Sequence, residues 1–368
     1  MIRILHVLSS IGKTAGVPNS IMNYYRNMDR NKVQFDFVVF KKGSPSFENE
    51  IALLGGRVFY LKQPNLKGLP AFIKELDSVL KVNAQKYKAI QLHDLYLNLI
   101  VSWLARKYGI ANLIAHSHTT MYSDKLFSKI RNFILFQTAK GTFPIHFGCS
   151  RAAGEFMFGK KALDGGRVRI IQNAIDTRKF RYNLSLRENV RASLGVGDSF
   201  VVGHTGMFIP VKNHLFILEV FREILKIREN SVLLLIGEGE LFEDIKKKAE
   251  DMGIGQKVLF LGTRGDVDKL YQAMDAFIMP SLHEGLPLSA LEAQAAGLRC
   301  VLSETISKEA AVYNVKQLSL TQDACYWADS IVGYCTGYDR EDCLDKIRSS
   351  GFDISTEAAR LQDIYLAL

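Results

Sequence analysis

Proline is scarce in this sequence, 8 residues in 368, and no apolar run approaches the ~20 residues that a membrane-spanning helix needs. Val232–Gly237 is among the longest runs and falls far short. The opening Met1–Leu8 reads as a strand and lacks the longer apolar core and small-residue cleavage site of a signal peptide. The five cysteines (149, 300, 325, 335 and 343) are odd in number and lack metal-type spacing, so a reduced, cytoplasmic setting is expected. No Asp-x-Asp pair follows a strand. The first glycine loop, Gly12-x3-Gly16, lacks the Gly-x-Gly-x-x-Gly spacing of a dinucleotide site, which speaks against a dehydrogenase. No helix-turn-helix, zinc-finger or RNA-binding aromatic motif is present, so nucleic acid is not an expected partner.

What is present suits a globular protein of two domains: 48% hydrophobic residues, 23% charged and 28 glycines. Residues 1–180 carry 27 Lys and Arg against 11 Asp and Glu, whereas 181–368 carry 20 against 27. The overall charge of +9 therefore hides a basic half and an acidic half. The basic residues are scattered rather than clustered, which suits an anionic membrane surface better than a nucleic-acid groove.

Short β-branched runs alternate with amphipathic stretches through both halves. Strands are expected at 3–9, 34–40, 57–61, 89–93, 111–116, 145–150 and 167–172, then at 199–205, 231–236, 258–261, 276–279 and 300–303. Helices are expected between them, among them 19–28, 69–82, 97–107, 213–227, 241–252 and 288–296. This grammar predicts an α/β fold of two Rossmann-like, doubly wound parallel sheets. The stretch 176–198 lacks clear periodicity early and is taken as the junction. The domains are expected at 1–180 and 181–351, with a last helix in 352–368 returning to the first. Ligands of such sheets bind beyond the strand carboxyl ends, and the cleft between two such domains is the default site.

The most specific segment runs from Pro280 to Gly297. Glu284 and Glu292 are eight residues apart, with Gly285, Leu286, Pro287, Leu288 and Ser289 between them. Pro287 suits a first helical turn and Ser289 a cap, which leaves Glu284 in the loop and Glu292 a turn inside the helix. A helix start offers unpaired N–H groups and positive dipole to a phosphate, and carboxylates suit diol hydroxyls.

The segment resembles the Glu-x7-Glu motif of retaining, family 4 glycosyltransferases of the GT-B fold. The resemblance extends from Met1 to about residue 315 and is most similar to bacterial capsular and exopolysaccharide enzymes. Met22-Asn-Tyr-Tyr-Arg26 with Val33-Gln-Phe-Asp-Phe37, Ala115-His-Ser-His118, Gly148-Cys-Ser150, Asn173-Ala-Ile-Asp176, Lys212-Asn-His214 and Asp266-Val267 carry it further. It implies an enzyme that moves a sugar from a nucleotide-sugar, a UDP-sugar in the first instance, to a glycan or lipid-linked saccharide at the inner membrane face. Glu292 would hold the ribose and Glu284 the donor sugar. The backbone of Gly285 to Ser289 would meet sugar and diphosphate. Lys212 would neutralise the leaving diphosphate, with Asn213 beside it as a further candidate. Gly16 would let the first loop approach the diphosphate, and His116 would sit near the reacting centre, with His118 the second choice. No cofactor or metal is expected. His116-x-His118 has metal-like spacing, but no third ligand stands near it in sequence.

One departure stands out. The family carries Gly-Arg before this lysine, and here the pair is Gly206-Met207. Arg264 and Lys13 are candidate substitutes for the missing cation. The departure raises an alternative, a non-catalytic partner subunit that binds glycan or stabilises an active transferase.

Overall fold

The computed structural model describes residues 1–13, 15–119, 126–284 and 286–368, without the side chains of 126–131. Among these residues the strands are β1 (Ile2–Leu8), β2 (Val33–Val39), β3 (Arg57–Tyr60), β4 (Tyr87–Leu92), β5 (Leu113–Ser117), β6 (Ile145–Gly148) and β7 (Val168–Ile170). They form one parallel sheet in the order β3-β2-β1-β4-β5-β6-β7. The remainder are β8 (Phe200–Thr205), β9 (Ser231–Ile236), β10 (Val258–Phe260), β11 (Ala276–Met279), β12 (Arg299–Ser303) and β13 (Val315–Leu318). They form a second parallel sheet in the order β10-β9-β8-β11-β12-β13. Both sheets start centrally and wind outward, as expected for doubly wound α/β units. Strands covered on both faces read as continuous apolar runs, as β11 does; β2 is also buried throughout but carries Gln34 and Asp36 among its apolar residues.

The chain divides into two compact units, Met1–Ala174 with Ile354–Leu368, and Ile175–Asp353. In the first, the terminal helix Ile354–Leu366 packs on the helix Gly16–Asn27, and its Leu361 and Tyr365 enter a core shared with Ile4, Tyr24 and Phe35. Contacts place 175–180 with the second unit. Ile175 N–H donates to Phe352 C=O at 2.9 Å, the Thr177 hydroxyl donates to Asp353, and Phe180 joins the core around Tyr271 and Phe277.

Two local expectations change. The first helix begins at Gly16, not Asn19, so Pro18 lies in its opening turn, where a missing N–H costs nothing. The aperiodic junction holds a full helix, Leu184–Leu194, capped by Asn183 Oδ1 accepting from Leu186 N–H at 2.9 Å and closed by Gly195 at φ 66°. Its inward face is carried largely by arginines, beside half-buried Val190 and Leu194. Arg187 and Arg191 reach Asp275 at 2.5 and 3.2 Å and the carbonyls that end the helix before β11. Apolar periodicity therefore does not reveal it.

Among the described residues, no helix is long and apolar enough to cross a membrane.

Candidate active site

Beyond the carboxyl end of β8 the chain makes a single 3-10 turn, Pro210–Lys212, and then enters the helix His214–Ile227. Asn213 links them in the left-handed region at φ 58°, a conformation that asparagine tolerates. Its Nδ2 donates to Pro280 C=O at 3.3 Å, and Leu282 N–H donates to Val211 C=O at 2.8 Å. These bonds stitch the lysine turn to the loop after β11. Lys212 Nζ then lies 2.6 Å from Glu284 Oε1, with side chains only 13% and 19% exposed. The other flank of that loop is fixed from β12: Ser303 Oγ and Thr305 Oγ1 both donate to Ser281 C=O, at 2.6 and 2.7 Å, and Glu284 bridges to Ile306.

Glycine makes the close approach beneath Lys212 feasible. A Cβ on Gly206 would stand 3.2 Å from Lys212 Cε and 3.0 Å from His204 Nε2. Gly237 has φ 135°, and a Cβ there would fall 2.0 Å from Gly206 O. His204 and His214 are buried under this turn, and His214 stacks on Phe208 at 4.0 Å. Burial first, then the Lys212 charge, lowers the His214 pKa to about 4, and burial holds His204 well below its ordinary value. His204 Nε2, both His214 ring nitrogens and Ser281 Oγ are buried without hydrogen-bond partners.

The helix after the Glu284 loop runs Leu288–Ala295. Pro287 occupies its N-cap position rather than its first turn, and Ser289 is its second residue rather than a cap. Pro287 has no N–H to offer a ligand, so the free donors of this helix start are those of Leu288 and Ser289. Leu286 and Leu288 are half-buried against the second unit's core. Gly285 lies outside the described residues. Glu292 Oε2 accepts from Tyr271 O–H at 3.0 Å, and the same hydroxyl reaches Ser289 C=O at 3.2 Å. Burial pushes the Glu292 carboxyl up to about 7, against the Tyr271 hydrogen bond that favours the carboxylate. Tyr271 was not legible as a site residue, because it lies 21 residues upstream on another helix.

The candidate substitutes for the missing arginine each have a partner within their own unit. Arg264 pairs with Asp266 through two bonds of 2.8 Å. That contact also occupies Asp266, which stands at an N-cap position without a side-chain cap bond. Lys13 lies 5.5 Å from the centre of the Phe47 ring. Met207 is 44% exposed. Gly16 is the first helical residue, and nothing within 4 Å would meet a Cβ there.

In the first unit, four histidines converge from three strands: His6 on β1, His93 just after β4, and His116 and His118 at the end of β5. His6 Nδ1 is 3.0 Å from His93 Nε2, and His93 Nδ1 is 2.7 Å from His118 Nε2. His116 Nδ1 faces Gln91 Nε2 at 2.9 Å, and Gln91 Oε1 accepts from Tyr365 O–H at 2.6 Å. Burial lowers His118 to about 4 and His6 to about 3, and holds His93 and His116 well below their ordinary value.

Residues 14–179 match the description Glycosyltransferase Family 4, and residues 187–314 match Glycosyl transferases group 1. EpsF of Bacillus subtilis, named as a glycosyltransferase, is 30% identical over 99% of this chain and 96% of its own. The chain belongs to the family 4 glycosyltransferases. The transferase is also 26% identical, over 84% of each chain, to the UDP-Gal:alpha-D-GlcNAc-diphosphoundecaprenol alpha-1,3-galactosyltransferase of Escherichia coli. Anabaena HepE, solved in complex with UDP and glucose, shares its fold at TM-score 0.78 and 18% identity, covering 100% of both chains. The fold of this transferase is thus GT-B.

Proposed function

We propose that the chain transfers a sugar from a nucleotide-sugar, a UDP-sugar in the first instance, to a lipid-linked saccharide or glycan acceptor in cell-surface polysaccharide synthesis. Transfer retains anomeric configuration and needs no metal. The Escherichia coli relative, named for a UDP-galactose donor and a diphosphoundecaprenol acceptor, supports both substrate classes. The observation that carries the reading is Lys212, held by Glu284 four residues ahead of the Leu288 helix start.

In this reading the second unit binds the donor. Glu292 takes the ribose hydroxyls, Glu284 contacts the sugar, and Lys212 with the Leu288 and Ser289 N–H groups receives the diphosphate. The bond from the anomeric carbon to the diphosphate oxygen breaks, and the electron pair leaves with the diphosphate. The acceptor hydroxyl attacks from the same face, and its proton passes to the departing diphosphate oxygen. Negative charge grows on that leaving group, so a fixed ammonium and helix N–H groups stabilise the transition state more than the ground state. Asn213 holds the Lys212 turn in place, and Gly16 gives the first loop room to approach the diphosphate. The first unit receives the acceptor, with His116, then His118, nearest the reacting end. Its excess of Lys and Arg provides reversible attachment to anionic lipid at the inner membrane face.

The test is UDP release from a panel of UDP-sugars with a lipid-linked acceptor, and the anomeric configuration of the product by NMR. Acceptor-dependent turnover that Glu284→Ala abolishes supports the enzyme. Binding without turnover in every pair supports the partner-subunit alternative.

A further inference from the structure

The histidine cluster of the first unit includes His116 and His118, placed above nearest the reacting end, and it carries a metal-ligating chemistry that sugar transfer does not require. One ring nitrogen from each of His93, His116 and His118 lies within 4.8 Å of the others. We propose that these three imidazoles form a binding site for one divalent transition-metal ion, Zn²⁺ before others. It would tie the carboxyl ends of β4 and β5 together.

The donor set selects the metal. Three neutral nitrogens suit Zn²⁺, Co²⁺, Ni²⁺ or Cu²⁺, whereas Mg²⁺ and Ca²⁺ need oxygen ligands that this cluster does not offer. A neutral imidazole carries its proton on one ring nitrogen and keeps a lone pair on the other, which is the atom an ion takes. In a tetrahedral site with Zn–N of about 2.0–2.1 Å, ligand nitrogens stand roughly 3.3 Å apart. His93 Nδ1 and His118 Nε2, now 2.7 Å apart, share one proton. On binding, that proton moves to the other nitrogen of its own ring, both imidazoles stay neutral, and the ion spreads the pair by about half an ångström.

The outer contacts supply a partner for His93 as they stand and for His116 once the Gln91 amide turns. A ligating histidine normally gives its second N–H to an acceptor, which fixes the ring. His93 Nε2 points at His6 Nδ1 at 3.0 Å, so His93 is free to ligate through Nδ1. His116 Nδ1 faces the Gln91 amide, which Tyr365 anchors in turn, so Nε2 is the nitrogen on the side of the site; with Gln91 Nε2 donating to Nδ1, the ring proton sits on Nε2. That Nε2 is buried with no hydrogen-bond partner, in a ring only 5% exposed. For it to ligate, the Gln91 amide turns over, presenting its oxygen to His116 Nδ1–H and its NH2 to the Tyr365 oxygen, and the ring proton moves from Nε2 to Nδ1. A bound ion withdraws His116 and His118 from the acceptor role given them above; metal binding is read without any sugar substrate, so its failure and that of the proposed function are separate outcomes.

The test is titration of the full chain with Co²⁺ and Zn²⁺, read by visible absorption, by competition with a chromogenic chelator, and by thermal unfolding. One equivalent should bind with the intense visible bands of tetrahedral Co²⁺, and Zn²⁺ should raise the melting temperature. His93→Asn and His118→Asn, checked for native circular dichroism, should each weaken binding at least 100-fold. Unchanged affinity in both variants would place the ion elsewhere and overturn the site, as would the absence of saturable one-to-one binding. Should either variant fail to fold, X-ray absorption of the Zn²⁺-loaded wild type decides: three imidazoles at about 2.0–2.1 Å support the site, and fewer overturn it.

Discussion

Lys212 Nζ and Glu284 Oε1 lie 2.6 Å apart with both side chains mostly withdrawn from solvent. These are the two residues whose types and positions point to leaving-group and sugar contacts. They arrive on different loops, and four further hydrogen bonds to Val211, Pro280 and Ser281 hold those loops in place. The carboxylate keeps the ammonium oriented without a ligand. In the function proposed above, a bound diphosphate takes over that ammonium from Glu284, so the cation is already in place when charge develops.

Lys212→Ala is expected to lower kcat roughly 10²–10³-fold, the cost of removing one fixed donor to a developing anion. It also leaves Glu284 without its counter-charge, so the melting temperature falls. Lys212→Arg keeps the charge and should recover part of the rate. UDP-release kinetics and a thermal scan of the three proteins check this.

Donor affinity should depend on pH through Glu292. Its native carboxyl titrates near 7, above its ordinary 4.5, and ribose hydroxyls need the carboxylate as acceptor. Affinity for a UDP-sugar should therefore rise between pH 6 and 8 and be flat in Glu292→Gln. Tyr271→Phe removes the hydrogen bond that favours the carboxylate, so the midpoint should move upward. Without ligand, the extra proton held by the native state stabilises fully below pH 4.5. That contribution disappears as pH rises through about 7. Calorimetric binding at several pH values measures the first effect and thermal unfolding the second.

The second unit should lose stability in acid through His214. Its pKa falls from 6.5 to about 4 in the fold, so its contribution is present above pH 6.5 and is lost as pH drops through 4. Lys212 and buried His204 are the neighbouring groups that oppose a charge there. His214→Phe preserves the stack on Phe208 and should flatten the slope of unfolding free energy between pH 6.5 and 4 by up to about 1.4 kcal/mol per pH unit.

Met207→Arg should raise kcat, by roughly tenfold for each 1.4 kcal/mol of added transition-state stabilisation. The side chain is exposed enough to accept a longer cation, and Arg264 is already paired with Asp266. Unchanged kcat would mean that the diphosphate does not pass Met207.

Much of the fold is legible because parallel strands advertise themselves as short apolar runs. Ser231–Ile236 and Ala276–Met279 have the bounds their residues suggest. Helices fastened by polar groups are harder to read. Leu184–Leu194 turns Arg187 and Arg191 inward beside half-buried Val190 and Leu194, so hydropathy shows only part of its inward face. Glu284 and Glu292 stand out because both lie within one segment. The Glu292 partner, Tyr271, and the gathering of His6 and His93 with His116 and His118 depend on strands far apart in sequence. No local spacing announces them.

A crystal structure of the chain with UDP tests the central claim most directly. The account predicts the diphosphate within hydrogen-bond reach of Lys212 Nζ and the Leu288 helix start, the Lys212–Glu284 contact lengthened beyond 2.6 Å, and the ribose hydroxyls on Glu292. UDP bound away from Lys212, with the ion pair unchanged, would contradict it.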